Sequence, residues 1–452
     1  MMKISEISLR STLRSYIFWI IVIGLASRIV VSIFFTYPND SGSWSRFAEA
    51  VIAGSTLYDR HDYYYNPVWG YVMAFLTDLS VISGIGSFGN QFDELVFLDG
   101  FKVSYYNSMM ITPEFAIVLK AFLILVDLVV AVLIRKLLLE VTGDGRKAAI
   151  GTAIWFLSPL TIYSSAAYVI FDNLEVLFLV ICFYLLYRKS FFLAGSMFLL
   201  ALMTKPFPAY ILPLLVIFVF FRGLDRREGI RNVVMSMFGF LVGFLILYAP
   251  VIASGEFVTS FIALTGRVGT AADVYGGFLS HVFRTIVTFG SQVFIWMQPL
   301  IISFAFILAY AFWRSDRQSW TDLISCSALM FAVVFIWPVS QQCYYEPLIL
   351  LMALMVSVMD GRRMMRWSML LSVLSLVYLL LSHNFSLLLP LACYTDLIPL
   401  DWVLDNLTSF TLSSVGRIEL YDTSRWCVQL VIMVVMVLFI ISMVRYRKEV
   451  IS

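Results

Sequence analysis

The chain has 452 residues, of which 61% are hydrophobic and 13% charged, with a formal net charge of +2. A soluble domain carries about 25% charged residues, so an ordinary globular enzyme is excluded, and the near-neutral balance marks no nucleic-acid partner. Aromatic residues make up 16%, a surplus that suits lipid-facing helices with belts of rings at the membrane surface.

The amino terminus, MMKISEISLRSTLRSYIFWII, joins a basic stretch to an apolar run. A cleaved signal peptide is one reading. The run continues to about Phe35 with no small-residue cleavage site, so the expectation is an uncleaved first span. A spanning helix needs about 20 mostly apolar residues. Apolar stretches meeting or approaching that length fall at 16–36, 113–134, 148–166, 173–187, 191–205, 207–221, 233–253, 291–313, 320–337, 347–359, 367–389 and 425–444. They predict an all-α, polytopic membrane protein, with residues 1–452 as a single transmembrane domain of about 12 helices.

Basic residues sort these spans. Lys3, Arg10 and Arg14 precede the first, Arg135, Lys136, Arg146 and Lys147 follow the second, and Arg188 and Lys189 follow the fourth. Arg222, Arg226, Arg227 and Arg231, then Arg314 and Arg317, then Arg362, Arg363 and Arg366, and finally Arg445, Arg447 and Lys448 continue the pattern. Every second boundary is basic, which puts both termini on the cytoplasmic side. The long segments 37–112, 254–290 and 390–424 then face outward. No soluble domain of ordinary size fits anywhere, so any chemistry is assembled from outer loops and helix ends.

In the first outer loop, Trp44, Phe47 and Val51 fall at helical spacing, with Arg46 and Glu49 on the other side. That pattern predicts a short amphipathic helix lying in the interface and ending at Gly54. Pro67 opens a second, with Val68, Tyr71, Val72, Phe75 and Leu79 as its apolar stripe. Asp40 sits between the first span and the first interfacial helix. There a carboxylate meets lipid-borne and water-borne groups and can take a proton from an acceptor hydroxyl; the bland alternative is a helix-capping Asp. Tyr63, Tyr64 and Tyr65 form either a sugar-stacking wall or part of the interfacial belt.

Charges inside the spans are costly and need partners. Arg28 lies in the first span, and Lys120 and Asp127 lie seven residues apart on one face of the second. They predict an Arg28/Lys120/Asp127 network that pins the first two spans. Of five scattered cysteines, none has zinc spacing. Cys343 and Cys393 both fall on the outer side, where a disulfide is open. His61 and His281 are loop residues and His383 is in a span; a lone His carries little. Asn406-Leu-Thr408 is a glycosylation sequon, a weak match by itself.

The run Asp40, Trp44, Phe47, Ala48, Gly54, Tyr58, Arg60, Tyr65, Pro67 resembles the first luminal loop of the family of the GPI mannosyltransferase I catalytic subunit. It also resembles prokaryotic polyprenyl-phosphate-sugar transferases of the GT-C superfamily. Further likenesses follow in order: FLSPLTIYSSAAYVIFDNLEVLFL with Asp172 and Asn173, LLALMTKPFPAYILPLL with Lys205, LTGRVG with Arg267, and FIWPVSQQCYYEPLILLMAL with Gln341, Gln342 and Tyr344. The resemblance covers roughly residues 16–355. One departure stands out. The family has an Asp-x-Asp where this chain reads Pro38-Asn39-Asp40, so only the second acid is present and any metal role of the pair is in doubt.

The resemblance implies a sugar donor carried on polyprenyl phosphate and an acceptor that is a lipid-linked glycan, another lipid or a protein. It implies no cofactor, and the absence of Walker and Rossmann motifs agrees. Asp40 would be the general base, and Lys205 and Arg267 would hold the leaving phosphate. Asp172, Tyr65, Gln341, Gln342 and Tyr344 would contact substrate. Plainer readings are a snorkelling Lys205 and an Asp172 that caps the next helix. A secondary transporter and a lipid-glycan flippase are the rival functions. A prokaryotic cell membrane is the expected location, with the endoplasmic reticulum the alternative.

Overall fold

The structure, a computed structural model, describes residues 2–59, 63, 65–92, 109–260, 292–314, 318–336, 345–412 and 414–451. Arg60, His61, Tyr64, Arg267, His281, Gln341, Gln342, Cys343 and Tyr344 lie outside the described residues.

Helix α1 (Met2–Phe34) is followed by α2 (Pro38–Ile52) and α3 (Pro67–Ile82). A short antiparallel ribbon comes next, β1 (Gly89–Gln91) against β2 (Met109–Ile111), with Gly89 opposite Ile111. Then come α4 (Pro113–Thr142), α5 (Gly145–Phe156), α6 (Pro159–Tyr163), α7 (Asp172–Tyr187), α8 (Phe191–Thr204), α9 (Leu212–Phe220) and α10 (Arg226–Ala253). The rest of the chain adds α11 (Gln292–Trp313), α12 (Trp320–Ile336), α13 (Glu346–Leu354), α14 (Gly361–His383), α15 (Leu389–Tyr394), α16 (Leu400–Leu412) and α17 (Ser414–Ile451). Five of these helices are long and apolar enough to cross a membrane: Tyr16–Phe34 of α1, α4, α10, Gly361–Leu381 of α14 and Cys427–Tyr446 of α17. The architecture is that of a membrane-embedded all-α protein.

A helix stands at every stretch where the sequence predicts a span, but several differ in extent. Helix α4 runs past residue 134 to Thr142 and stops only at Gly143, whose left-handed φ of 66° ends it. The stretch 148–166 is not one helix. Pro159 cannot continue α5, so the chain breaks at Leu157–Ser158, forms α6, and widens into a π turn at Ser164–Tyr168. Pro208 and Pro213 likewise split 207–221 into a 3-10 turn, Phe207–Ile211, and α9.

Both loop helices form. On α2 the apolar stripe, Trp44 and Phe47, is buried in protein rather than laid on lipid, and Arg46 and Glu49 are exposed. On α3 the expected stripe divides. Val68 is buried, while Phe75 and Leu79 face outward and Trp69, Met73, Leu76 and Ser80 pack inward. Helix α3 is apolar nearly all round, so periodicity does not say which side meets protein. Every residue of α13 is buried, which makes it the axis of the bundle. Helices α8 and α10 meet through glycines. A Cβ on Gly239 would strike the Phe192 carbonyl and one on Gly195 the Ser236 carbonyl, and Ser196 Oγ donates to Gly239 O at 2.8 Å.

Candidate active site

Arg28 is wholly buried, six residues before the end of α1. Its Nε donates to Asp127 Oδ2 at 2.9 Å, Nη1 to Phe156 O at 2.7 Å and Gly24 O at 3.3 Å, and Nη2 to Thr161 Oγ1 at 3.2 Å. The guanidinium also lies 4.3 Å over the Phe156 ring. Asp127 accepts on its other oxygen from Asn173 Nδ2 at 3.0 Å, and that amide donates again to Leu123 O at 2.8 Å. The break between α5 and α6 is what frees the Phe156 carbonyl for Arg28, since the last carbonyls of a helix have no helical N–H to meet.

Lys120 does not join this network as the sequence suggested. Its ammonium donates to Ser32 O and Phe35 O, both at 2.8 Å, and to Thr36 Oγ1 at 2.7 Å. The carbonyls in the last turn of α1 have no helical partner, and a cation there offsets the negative end of the helix dipole. Lys120 is therefore the carboxyl-terminal cap of α1 rather than a partner of Asp127.

Lys205 is the C-cap residue of α8, with extended backbone (φ −145°, ψ 148°) because Pro206 follows it. Its ammonium pairs with Asp172 Oδ1 at 3.1 Å, and both side chains are nearly inaccessible, 6% and 1% exposed. Asp172 does not cap α7: Phe171 is the N-cap residue and Asp172 lies in the first turn. Two rings roof the ammonium, Phe171 with its centroid at 4.9 Å and Tyr65 at 5.4 Å. Trp69 stacks on Phe171 at 4.5 Å, and Trp44 reaches Tyr65 at 5.8 Å and Phe171 at 5.9 Å. Trp44 Nε1 also donates to Val169 O at 3.2 Å. Val169 is held in the left-handed region, φ 57°, a costly conformation for a β-branched residue. The π turn, the strained Val169 and the loop helices thus converge on the Lys205–Asp172 pair.

Asp40 lies in the first turn of α2, partly exposed, while Tyr37 holds the N-cap position. Asp40 and Trp44 are four residues apart and share one face of α2, a separation of about 6 Å along the axis. Trp44 in turn meets Tyr65 and Phe171, the two rings over Lys205. Beneath the start of α2, Tyr37 N donates to Ala167 O at 2.8 Å, and the Tyr37 ring stacks on His383 at 4.0 Å. His383 stacks also on Tyr168 at 4.7 Å, with Nδ1 2.7 Å from the Tyr163 hydroxyl.

Of the tyrosines in the expected wall, Tyr63 is buried in the loop rather than open to sugar or lipid. Tyr63 is 2% exposed and packs on Phe47 and Tyr58. Its hydroxyl donates to Asn66 O at 2.6 Å and accepts from Gly70 N at 2.7 Å. Burial raises the Tyr63 and Tyr58 phenols above their ordinary values, so both stay protonated and act as loop rivets. Tyr65 is only partly buried. Glu256, just beyond α10, ties the same loop down by accepting from Tyr58 N at 2.9 Å and from Thr56 Oγ1.

The structure brings Asp172, Lys205, Tyr65 and Trp44 into one neighbourhood. It also places two carboxyls that the sequence reading passed over. Glu175 lies beside Asp172 and Lys205, and Glu346 near Asp127, Asp172, Arg28 and Ser164; both are buried. Each begins an apolar helix, where it reads as an ordinary first-turn acid. His383 was equally illegible, because its partners come from distant segments.

Among the described residues no three His, Cys, Asp or Glu side chains converge as metal ligands. A separate apolar cavity of about 670 Å³ is lined by Cys182, Ala194, Leu215, Val219, Val233 and Phe238 among others. Cys182 is ten residues along α7 from Asp172, about 15 Å away by helical rise, so this cavity is not part of the polar site. No family model matches the sequence, and no curated protein is significantly similar to it.

Proposed function

We propose that the chain is a glycosyltransferase of the GT-C type. It moves a hexose from a polyprenyl-phosphate donor to a hydroxyl of a lipid-linked or protein acceptor. Mannose is the sugar that the resemblance implies. In this reading the chain crosses the membrane about 12 times, both termini are cytoplasmic, and the site opens on the outer face of a prokaryotic cell membrane.

The observation that carries the reading is the shared face of α2. Asp40 and Trp44 lie on it, and Trp44 closes on the rings that cover the Lys205–Asp172 pair. Asp40 takes the proton of the acceptor hydroxyl as its oxygen attacks the anomeric carbon in line. The bond from that carbon to the phosphate oxygen breaks, and polyprenyl phosphate leaves with the electron pair. Lys205 is the cation for that developing charge. Asp172 holds the ammonium in place, and arrival of the phosphate shares Lys205 between the two anions. Arg267, Gln341, Gln342 and Tyr344 keep the roles that the resemblance implies. The half-buried Tyr65 ring is the surface for a sugar.

The test is to incubate the purified protein in lipid with polyprenyl-phosphate mannose and a lipid extract, and to identify the product by mass. Asp40→Asn is expected to fold and to lose transfer by about 10²–10⁴-fold, the contribution of a positioned base. Full activity in that variant removes the base assignment.

A secondary transporter is favoured by one observation, the buried charges beside the broken segment α5–α6. Ion-coupled uptake of a solute into vesicles, with no glycosyl product, selects that reading instead.

A further inference from the structure

The apolar cavity of about 670 Å³ lies among α7, α8, α9 and α10, away from the polar site. Its lining takes Cys182 and Leu186 from the last two turns of α7, Ala194 and Phe198 from the first two turns of α8, and Val219 from the end of α9. Asp172 and Lys205 stand at the opposite ends of α7 and α8. Leu186 is 14 residues past Asp172, about 21 Å along the helix. Apart from Ser236, every lining residue is hydrophobic or glycine. Packed interiors leave few voids larger than a water molecule, and walls this apolar give water no partners. Val216, Val234 and Met237 line the cavity and are also exposed. The cavity therefore opens sideways between α9 and α10, onto a surface that meets lipid chains in a membrane.

The two turns that close this end of the cavity are basic. Residues 188–190 join α7 to α8, and 221–231 lead from α9 into α10; together they hold six basic side chains and two acidic ones. A Cβ on Gly223 would strike Gly229 N, and one on Gly229 the Phe220 carbonyl, so the second turn is folded tightly against the end of α9. Arg188 pairs with Glu140 at 3.5 Å and Arg231 with Glu228 at 3.2 Å, while the Asp225 carboxylate caps α10. Arg222, Arg226 and Arg227 take no acidic partner among the described residues. Arg226 and Arg227 begin α10, where the helix dipole disfavours cations. Arg222 is half-buried, with its N–H on Val219 O at 3.2 Å and its guanidinium 4.4 Å over the Phe218 ring. Its Nε is shielded and makes no hydrogen bond among the described residues. The sorting of positive charge to one side of a membrane accounts for exposed arginines. It does not account for one tucked against a cavity helix with a donor unmet, which is costly.

We propose that the cavity and its basic end together bind one anionic glycerophospholipid. An acyl chain enters between α9 and α10 and fills the cavity, and the phosphate meets Arg222, Arg226 and Arg227. Guanidinium groups match phosphate oxygens with paired N–H donors, and basic pockets between spanning helices hold anionic head groups. The occupant is not the proposed sugar donor. A phosphate at Arg222 lies past Leu186, at the far end of α7 from the Lys205–Asp172 pair. The bound lipid fastens α9 and α10 to the ends of α7 and α8 without touching the polar site.

The experiment titrates the full-length protein in detergent with phosphatidylglycerol or phosphatidylcholine of identical chains and counts bound lipid by native mass spectrometry. Phosphatidylglycerol should bind several-fold more tightly. Replacing all three arginines (Arg222→Gln, Arg226→Gln, Arg227→Gln) should lower it to the level of phosphatidylcholine. Val216→Trp, at the exposed mouth, should weaken both lipids. A phosphatidylglycerol carrying a photoreactive acyl chain should label peptides within 212–219 and 233–241 of the unmodified protein, which locates the tail without any substitution. Equal affinity for the two lipids in the unmodified protein overturns the proposal. So does a preference that survives the triple substitution, or labelling confined to other segments. Polyprenyl phosphate is the competitor arm: complete displacement of phosphatidylglycerol by it at equal concentration overturns the choice of occupant. None of these readouts depends on sugar transfer.

Discussion

Arg28 and Lys205 are both buried cations paired with an aspartate, yet they sit in regions built differently. Arg28 lies within α1, six residues before its end, and is bonded to α4, to the end of α5 and to α6. Its partner Asp127 is itself gripped by α7 through Asn173. Lys205 sits where α8 ends, joined to the first turn of α7 and covered by rings from α2–α3 and from Phe171. One pair ties membrane-embedded helices to one another. The other ties helix ends to a loop-borne layer. The difference teaches that burial and charge alone do not mark a site. What the charged group is covered by, and whether that cover comes from a loop, separates scaffold from chemistry.

Four substitutions sharpen or break that contrast. Arg28→Ala is expected to have the largest effect, because it strands Asp127. Breaking a buried pair costs about 3–5 kcal/mol, read as a large fall in the thermal unfolding midpoint or loss of folded protein. A near-normal midpoint would mean that Arg28 is no scaffold. Gly239→Ala, in the apolar α8–α10 contact, should cost about 1–3 kcal/mol through overpacking. Sugar transfer per folded molecule should be unchanged, since nothing at the polar end moves. Trp44→Phe keeps the ring but removes the bond to Val169 O. Its stability loss should be about 0.5–1.5 kcal/mol, whereas transfer should fall by more than the stability change predicts. Lys205→Met should move the midpoint less than Arg28→Ala, because Arg28 also holds the Phe156, Gly24 and Thr161 oxygens across three helices, yet it should remove transfer. If Lys205→Met instead unfolds the protein as Arg28→Ala does, the two pairs are equivalent and the contrast fails.

The same contrast explains how much was readable beforehand. Helices in membranes must satisfy their own backbone groups, so long apolar runs betray them locally. The helical class, the two loop helices and a helix at each apolar stretch follow from that. Asp40 was nameable from its place between the first span and the first loop helix, and Lys205 and Asp172 from the family resemblance. Glu175, Glu346 and His383 were not, because their significance lies in neighbours 100 or more positions away in some cases, as with Tyr163 and His383, 220 apart. Lys120 shows the limit most plainly. Seven residues of helical spacing placed it on the Asp127 face, but a side chain of that length also reaches the end of α1, where three acceptors outbid one carboxylate.

By itself the sequence determined that this chain is helical, apolar and interrupted at its prolines, because those properties depend on short-range sterics and on the cost of exposing backbone to lipid. Only the tertiary structure decided which face of α3 meets protein, which partners each buried cation takes, and that Glu346 is buried near Asp127, Asp172 and Arg28. Those outcomes depend on distances between segments far apart in the chain, which no local pattern encodes.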